Sequence, residues 1–381
     1  MSSQDGGGAK VAVVLHEGVV GGASLSVLRM VPLLEERGWS FSFWGPPDRA
    51  LSDYLLERGH RLQGLPRNLA FSLVALRQPP GPLPRLTSLP RYFQQFDAFL
   101  RKEAVQLVHA NTLYTLPEAL VARARRLPAL LHLHEMVPES YKGAVTSQLA
   151  RRARLEVVAV SEASAARYAR GAQPPRVVHE GAVIPRPPRR REARERVTVG
   201  SVAVISRRKG PDLFVEAARR VLAEEEGVDF RLVGMPTDPL DERWGREVLR
   251  DANAVGVEHL PSVDVPREMA KWDIFVLPAR QDPFPIVVLE AMASELPVVG
   301  TKVDGIAEQV TAETGIVCPP EDPRSLADAI LRLARDPALR ARLGAAGRRR
   351  VEAHFSVERQ ADEMHEAYKA TCAALSGSER T

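Results

Sequence analysis

Two acidic residues eight positions apart, Asp282 and Glu290, stand in a stretch running from Ala279 to Ala293, directly after an apolar run that ends at Leu277. Pro285 suits a helix start, because its missing N–H is an orphan there in any case and its φ is preset. Asp282 then precedes the helix and Glu290 lies between one and two turns inside it. Free N–H groups around Ile286 and Val287 would face the carboxyl end of the preceding strand, where a doubly wound sheet binds ligands. A phosphate would sit on those N–H groups, with the two carboxylates flanking it as acceptors for sugar or ribose hydroxyls. A plainer reading makes Asp282 an N-cap and Glu290 a solvated helix residue. Against it, Glu290 lies between Leu289 and Ala291 in a run that is apolar on nearly every face. A glycosidase-type acid and nucleophile is a further reading, and it depends on a carboxyl separation that sequence does not give.

A second place for an anion is Gly18-Val-Val-Gly21-Gly22-Ala23-Ser24, ahead of a helix marked by Val27, Leu28, Val31 and Leu34. Paired glycines let a ligand approach the backbone, and equally they serve turn geometry alone. The segment matches neither the dinucleotide fingerprint nor a P-loop. Pro32 falls inside this helix and is expected to kink it. Lys209 ends Arg207-Arg208-Lys209, which by itself reads as a solvated turn. His134, at a strand end, by itself reads as a hydrogen-bonded structural histidine. No Asp-x-Asp or His/Cys cluster has metal-ligand spacing.

The elements that must position these residues recur in two sets. Short apolar runs predict strands at 11–15, 41–44, 107–110, 129–134 and 157–160, then at 199–205, 230–233, 273–277, 297–300 and 316–318. Helical patterns separate them, as in a parallel sheet covered on both faces. Asp322-Pro323 and Asp336-Pro337 each supply an N-cap and a first-turn proline. Leu213, Phe214, Ala217, Val221 and Leu222 mark one helix face, and Val357, Ala361, Met364, Tyr368 and Cys372 mark a buried stripe on the last helix. Between the sets, 183–196 is rich in proline and arginine and reads as a linker, with no aromatic residues interleaved to stack bases. A second Pro-rich stretch, 78–85, reads as a surface loop. The expected domains are 1–182, the linker 183–196 and 197–355, with the helix 356–375 returning to the first domain.

Composition agrees with a globular α/β protein: 381 residues, 45% hydrophobic and 26% charged. Two cysteines, Cys318 and Cys372, exclude a disulfide scaffold and fit a reducing compartment. The first residues lack the order of a signal peptide and no run reaches a membrane span, so a soluble cytoplasmic protein with at most peripheral membrane contact is expected. The net charge of +4 fits an anionic partner without choosing among nucleic acid, lipid and phosphorylated small molecules.

Taken together, Gly21-Gly22-Ala23, His134-Glu135, Val160-Ser161-Glu162, Lys209-Gly210, Asp264-Val265-Pro266, Asp282 to Glu290 and Thr314-Gly315 through Pro323 resemble the retaining nucleotide-sugar glycosyltransferases of family 4, over nearly the whole chain. The resemblance implies the GT-B fold, two facing Rossmann-like domains with parallel sheets and an interdomain cleft. It implies a nucleoside-diphosphate sugar as donor, no separate cofactor, no metal, no nucleic-acid partner, and an acceptor that is a glycan, a lipid-linked sugar or a small molecule. Residue by residue, it implies that Glu290 accepts from the ribose, Asp282 lies near the donor sugar, Lys209 neutralises the departing diphosphate, and His134 faces the sugar. Gly21, Gly22, Arg208, Val263, Pro283, Phe284, Pro285, Ile286 and Val287 would line the donor.

The chain departs from that pattern in places. Val204 stands where the family commonly has an arginine, leaving Arg207 or Arg208 as candidates to replace it; Asp282 replaces a glutamate, Pro285 a glycine, and Glu295 a glycine before Leu296-Pro297. Two alternatives therefore accompany the transferase: a catalytically impaired nucleotide- or glycan-binding partner, and a sugar-nucleotide epimerase or phosphorylase on the same fold.

Overall fold

The computed structural model describes residues 9–16, 21–64, 89–169, 174–185, 195–237 and 240–378. The Pro-rich stretch 78–85, Gly18 and most of the 183–196 linker lie outside these residues. The chain divides into two compact units, Met1–His179 together with Val357–Thr381, and Glu180–Ser356.

The N-terminal unit holds seven strands: β1 (Lys10–Leu15), β2 (Ser40–Trp44), β3 (Leu62–Gln63), β4 (Leu107–Asn111), β5 (Ala129–Leu133), β6 (Glu156–Ala159) and β7 (Arg176–Val177). Every pairing is parallel, in the order β3-β2-β1-β4-β5-β6-β7. Side chains of β1 alternate between two cores, Val11, Val13 and Leu15 on one face and Ala12 and Val14 on the other. Both faces are thus covered. The last helix, Val357–Ser378, lays Val357, Ala361, Met364 and Tyr368 into the core that holds Val11 and Val13. The helix Gly22–Glu36 runs on through Pro32 without a break in its assignment.

The second unit holds β8 (Val197–Val202), β9 (Val228–Val233), β10 (Val257–Leu260), β11 (Ile274–Leu277), β12 (Val298–Thr301) and β13 (Gly315–Cys318), parallel, in the order β10-β9-β8-β11-β12-β13. Three strands escaped the sequence pattern. β3 and β7 are two residues long, and β10 is an edge strand whose Glu258 is exposed, so none shows an apolar run. The strand expected at 199–205 ends at Val202, because the chain then leaves the sheet toward a turn at Arg207–Lys209. Asp322 and Asp336 cap their helices as the sequence indicates, accepting from Ser325 N–H at 3.0 Å and Leu339 N–H at 2.8 Å.

In each sheet the chain reverses its direction of growth between the central strands, β1 and β4 in the first and β8 and β11 in the second. The carboxyl ends of those strands are where ligands bind in open α/β sheets.

Candidate functional site

At the switch point of the second sheet the segments after β8 and β11 are laced together. Arg280 N–H donates to Arg208 O at 2.8 Å. The Arg280 guanidinium donates to both Asp212 oxygens at 2.8 Å, to Arg207 O at 2.9 Å and to Glu321 Oε2 at 3.0 Å. These bonds hold the guanidinium charged and fix the turn that carries Lys209. Gly210 closes that turn in the left-handed region with φ 67°, where a Cβ would fall 2.1 Å from Pro278 O. Only glycine fits there.

The result is a contact that the sequence does not reveal: Lys209, 14% exposed, forms an ion pair with Asp282, 6% exposed. Burial pulls the Lys209 ammonium below the ordinary lysine range, and Asp282 opposes that pull. Asp282 is not an N-cap, since Pro285 occupies that position and the helix is Ile286–Ala293. Its backbone N–H instead donates to Asp304 Oδ2 at 3.0 Å. The first helix donor engaged is Val288 N–H, on Pro285 O at 3.1 Å. The N–H groups of Ile286 and Val287 have no acceptor among the described residues, as expected of a first turn. Glu290 lies one turn further in and is half-buried.

The two arginines before Lys209 part company. Arg207 stacks over Trp244, 4.8 Å from its ring centroid, and lies 3.7 Å from Asp241. Arg208 donates to Gln281 O at 3.0 Å and stands 3.8 Å from Asp282 Oδ1, so it is the second cation beside Lys209. Val204 is 41% exposed. Among the donor-lining expectations, Pro283, Pro285, Ile286 and Val287 share this edge with Asp282. The Phe284 ring turns into the core against Phe355, centroids 5.5 Å apart, and Val263 follows the edge strand β10.

At the switch point of the first sheet the groups are of another kind. His134, after β5, places Nε2 2.9 Å from Asn111 Oδ1 and 3.1 Å from His132 Nδ1. His132 continues to His109 at 3.3 Å, and His109 to the Tyr368 hydroxyl of the last helix at 2.6 Å. Burial lowers His109 to about 3 and His132 well below the usual histidine range, so both are neutral at pH 7. Asn111 Nδ2 donates to Ala23 O at 2.9 Å, tying β4 to the helix that begins at Gly22. A Cβ at Gly22 would meet nothing within 4 Å among the described residues, so packing there does not demand glycine. Glu135 accepts from Leu113 N–H at 3.1 Å, and burial pushes its carboxyl up. Thr112, fully buried at the end of β4, holds φ at 120° with its hydroxyl unpartnered. Asn111, Arg280 and Asp304 are thus organising residues without a short-range sequence signature. Among the described residues, no group of three or more His, Cys, Asp or Glu side chains is arranged to hold a metal ion.

The model described as Glycosyltransferase Family 4 matches residues 20–187, and the model described as Glycosyl transferases group 1 matches 194–336. A D-inositol 3-phosphate glycosyltransferase of Catenulispora acidiphila is 29% identical over 71% of this chain and 74% of its own length. A GDP-mannose-dependent phosphatidylinositol monomannoside mannosyltransferase of Corynebacterium glutamicum is 33% identical over 40% of this chain. The match spans 41% of that relative, and between 40% and 51% of the next four. Among solved structures, Anabaena HepE in complex with UDP and glucose aligns with a TM-score of 0.77 and 21% identity, covering 94% of this chain and 98% of its own. Sucrose-phosphate synthase of Thermosynechococcus elongatus aligns with a TM-score of 0.75 and 22% identity, over 96% of this chain and 100% of its own. With two parallel α/β units and a family model matched to each in order, the chain carries the two domains of the family 4 and group 1 glycosyltransferases, on the GT-B fold.

Proposed function

We propose that the chain is a retaining glycosyltransferase that moves a sugar from a nucleoside-diphosphate donor to a hydroxyl of its acceptor. The observation that carries this reading is the buried Lys209–Asp282 pair at the second switch point, beside the unpartnered N–H groups of Ile286 and Val287. Breaking the anomeric C–O bond builds positive charge on the sugar and negative charge on the diphosphate. Lys209, Arg208 and the helix N–H groups meet that negative charge, each worth about 3 kcal/mol by analogy with oxyanion donors.

Asp282 has a positioning task in this scheme. It holds the ammonium charged against the pull of burial and fixes its direction before the donor arrives. It is therefore a poorer acceptor for a sugar hydroxyl than its spacing from Glu290 suggests. Glu290 takes the ribose hydroxyls; in the N-terminal unit His134, Gly21 and Gly22 are the groups suited to a hydroxyl-bearing ligand. Attack from the face the diphosphate leaves gives retention without an enzyme nucleophile. The diphosphate charge is assigned to protein cations, so the reading needs no metal and chelation leaves turnover unchanged.

Complexes of HepE with UDP-glucose support a nucleotide sugar as donor, while the relative named for GDP-mannose leaves the base open. Val204 in place of an arginine favours the impaired-binder alternative; against it, Arg208 already supplies a second cation. The test is a turnover screen with UDP-, GDP-, ADP- and dTDP-sugars, followed by Lys209→Ala and Glu290→Ala on the donor that works. Each variant is expected to lose most turnover with its circular dichroism unchanged. Near-normal transfer by both would contradict these roles.

A further inference from the structure

The helix Tyr141–Arg152 of the N-terminal unit has its polarity reversed. Its inward positions Gly143, Thr146, Ser147 and Ala150 are small or polar and buried. Its outward positions Tyr141, Val145 and Leu149 are 75%, 52% and 40% exposed. The spacing of four puts those three on one face, where a surface helix normally carries charge. Single exposed apolar residues mean little, but a continuous stripe marks a contact surface.

Beside the end of the stripe lies a group of arginines. Arg151, Arg152 and Arg154 are exposed, as is Arg126 at the end of the neighbouring helix Leu116–Ala124. Arg123 Nε joins the two ends by donating to Ala153 O at 3.0 Å. Among the described residues, none of these five arginines meets a carboxylate; Arg125, between them, is the one taken by Asp97 at 2.7 Å.

From this juxtaposition we infer that the helix Tyr141–Arg152 docks on an anionic membrane surface, with Tyr141, Val145 and Leu149 entering the interface and the arginines meeting lipid headgroups. An apolar face with a basic flank is the pattern of interfacial helices, and tyrosine suits the headgroup level. A second copy of the chain is disfavoured as occupant, because a two-fold contact would set the same arginines against one another. The inference goes beyond the proposed reaction and is tested without a donor.

The intact chain is cosedimented with vesicles of phosphatidylcholine alone and of phosphatidylcholine mixed with phosphatidylglycerol, at low and physiological salt. It is expected to sediment with the anionic vesicles only, less so as salt rises. The double variant Val145→Glu with Leu149→Glu should weaken binding by at least about tenfold. Arg151→Gln and Arg152→Gln should each cost roughly fivefold. All four positions are exposed, and thermal melting verifies that each variant folds; the arginine variants decide the matter if the apolar ones do not fold. Absence of binding to anionic vesicles, or binding unchanged in these variants, overturns the inference. A concentration-dependent dimer that Val145→Glu abolishes would also overturn it, giving the face to a second copy.

Discussion

At the switch point of the second sheet the side chains are charged and paired, Lys209 with Asp282 and Arg280 with Asp212 and Glu321, whereas along β4 and β5 of the first sheet burial keeps the two histidines His109 and His132 neutral. His109 and His132 are held unprotonated and Glu135 is pushed toward its acid form. Nearby, Glu118 is pushed to about 7 by burial, with Tyr92 donating to Oε1 and Oε2 unpartnered. Charge at one edge suits a diphosphate, and an uncharged set of donors and acceptors at the other suits hydroxyls.

The most damaging way to break the contrast is to unpair the charged edge. Asp282→Ala leaves the buried Lys209 ammonium beside Arg208 without its carboxylate and should cost about 3–5 kcal/mol of stability, while Lys209→Ala, which leaves Arg208 3.8 Å from Asp282, should cost less. The double variant should recover part of that loss. Denaturant unfolding of the three proteins measures it, and a double variant whose loss equals the sum of the two single losses would show that the pair is not coupled.

A smaller effect is expected on the neutral side. The folded Glu118 carboxyl titrates at about 7 against 4.5 for the ordinary group, so its favourable linkage is complete below about pH 4.5 and is lost as pH rises through about 7. Glu118→Gln should therefore match the wild type near pH 4 and exceed it by up to about 3 kcal/mol near pH 8. Thermal melting across that range is the check; an equal offset at both ends would mean that Glu118 does not change protonation on folding.

The smallest effect concerns strain. Thr112 occupies a backbone region in which glycine alone is comfortable. Thr112→Gly should raise stability by about 1 kcal/mol in the same unfolding assay. A decrease would show that the buried threonine packs better than its backbone suffers.

Much of this was legible in the chain itself. The apolar runs of β1, β8 and β11, the Asp322 and Asp336 caps and the stripe of the last helix follow from periodicity and local chemistry. The spacing of Asp282 from Glu290, with prolines between, marked the correct helix start. What escaped is non-local. Lys209 and Asp282 are 73 residues apart, and their pairing depends on Arg280 stitching two loops together across the sheet. Glu295 follows from the same limit: it stands at the family's glycine position and takes the left-handed φ of 59° that the backbone requires there. The histidine ladder from His134 to Tyr368 joins residues more than two hundred positions apart, which no periodicity reports.

The central claim, that Lys209 beside the Ile286 helix start holds a donor diphosphate, is most directly tested by calorimetric titration of UDP-, GDP-, ADP- and dTDP-sugars into the wild type and Lys209→Ala. At least one donor should bind the wild type and bind the variant about a hundredfold more weakly. Equal affinity for both proteins, or no binding by any donor, would contradict it.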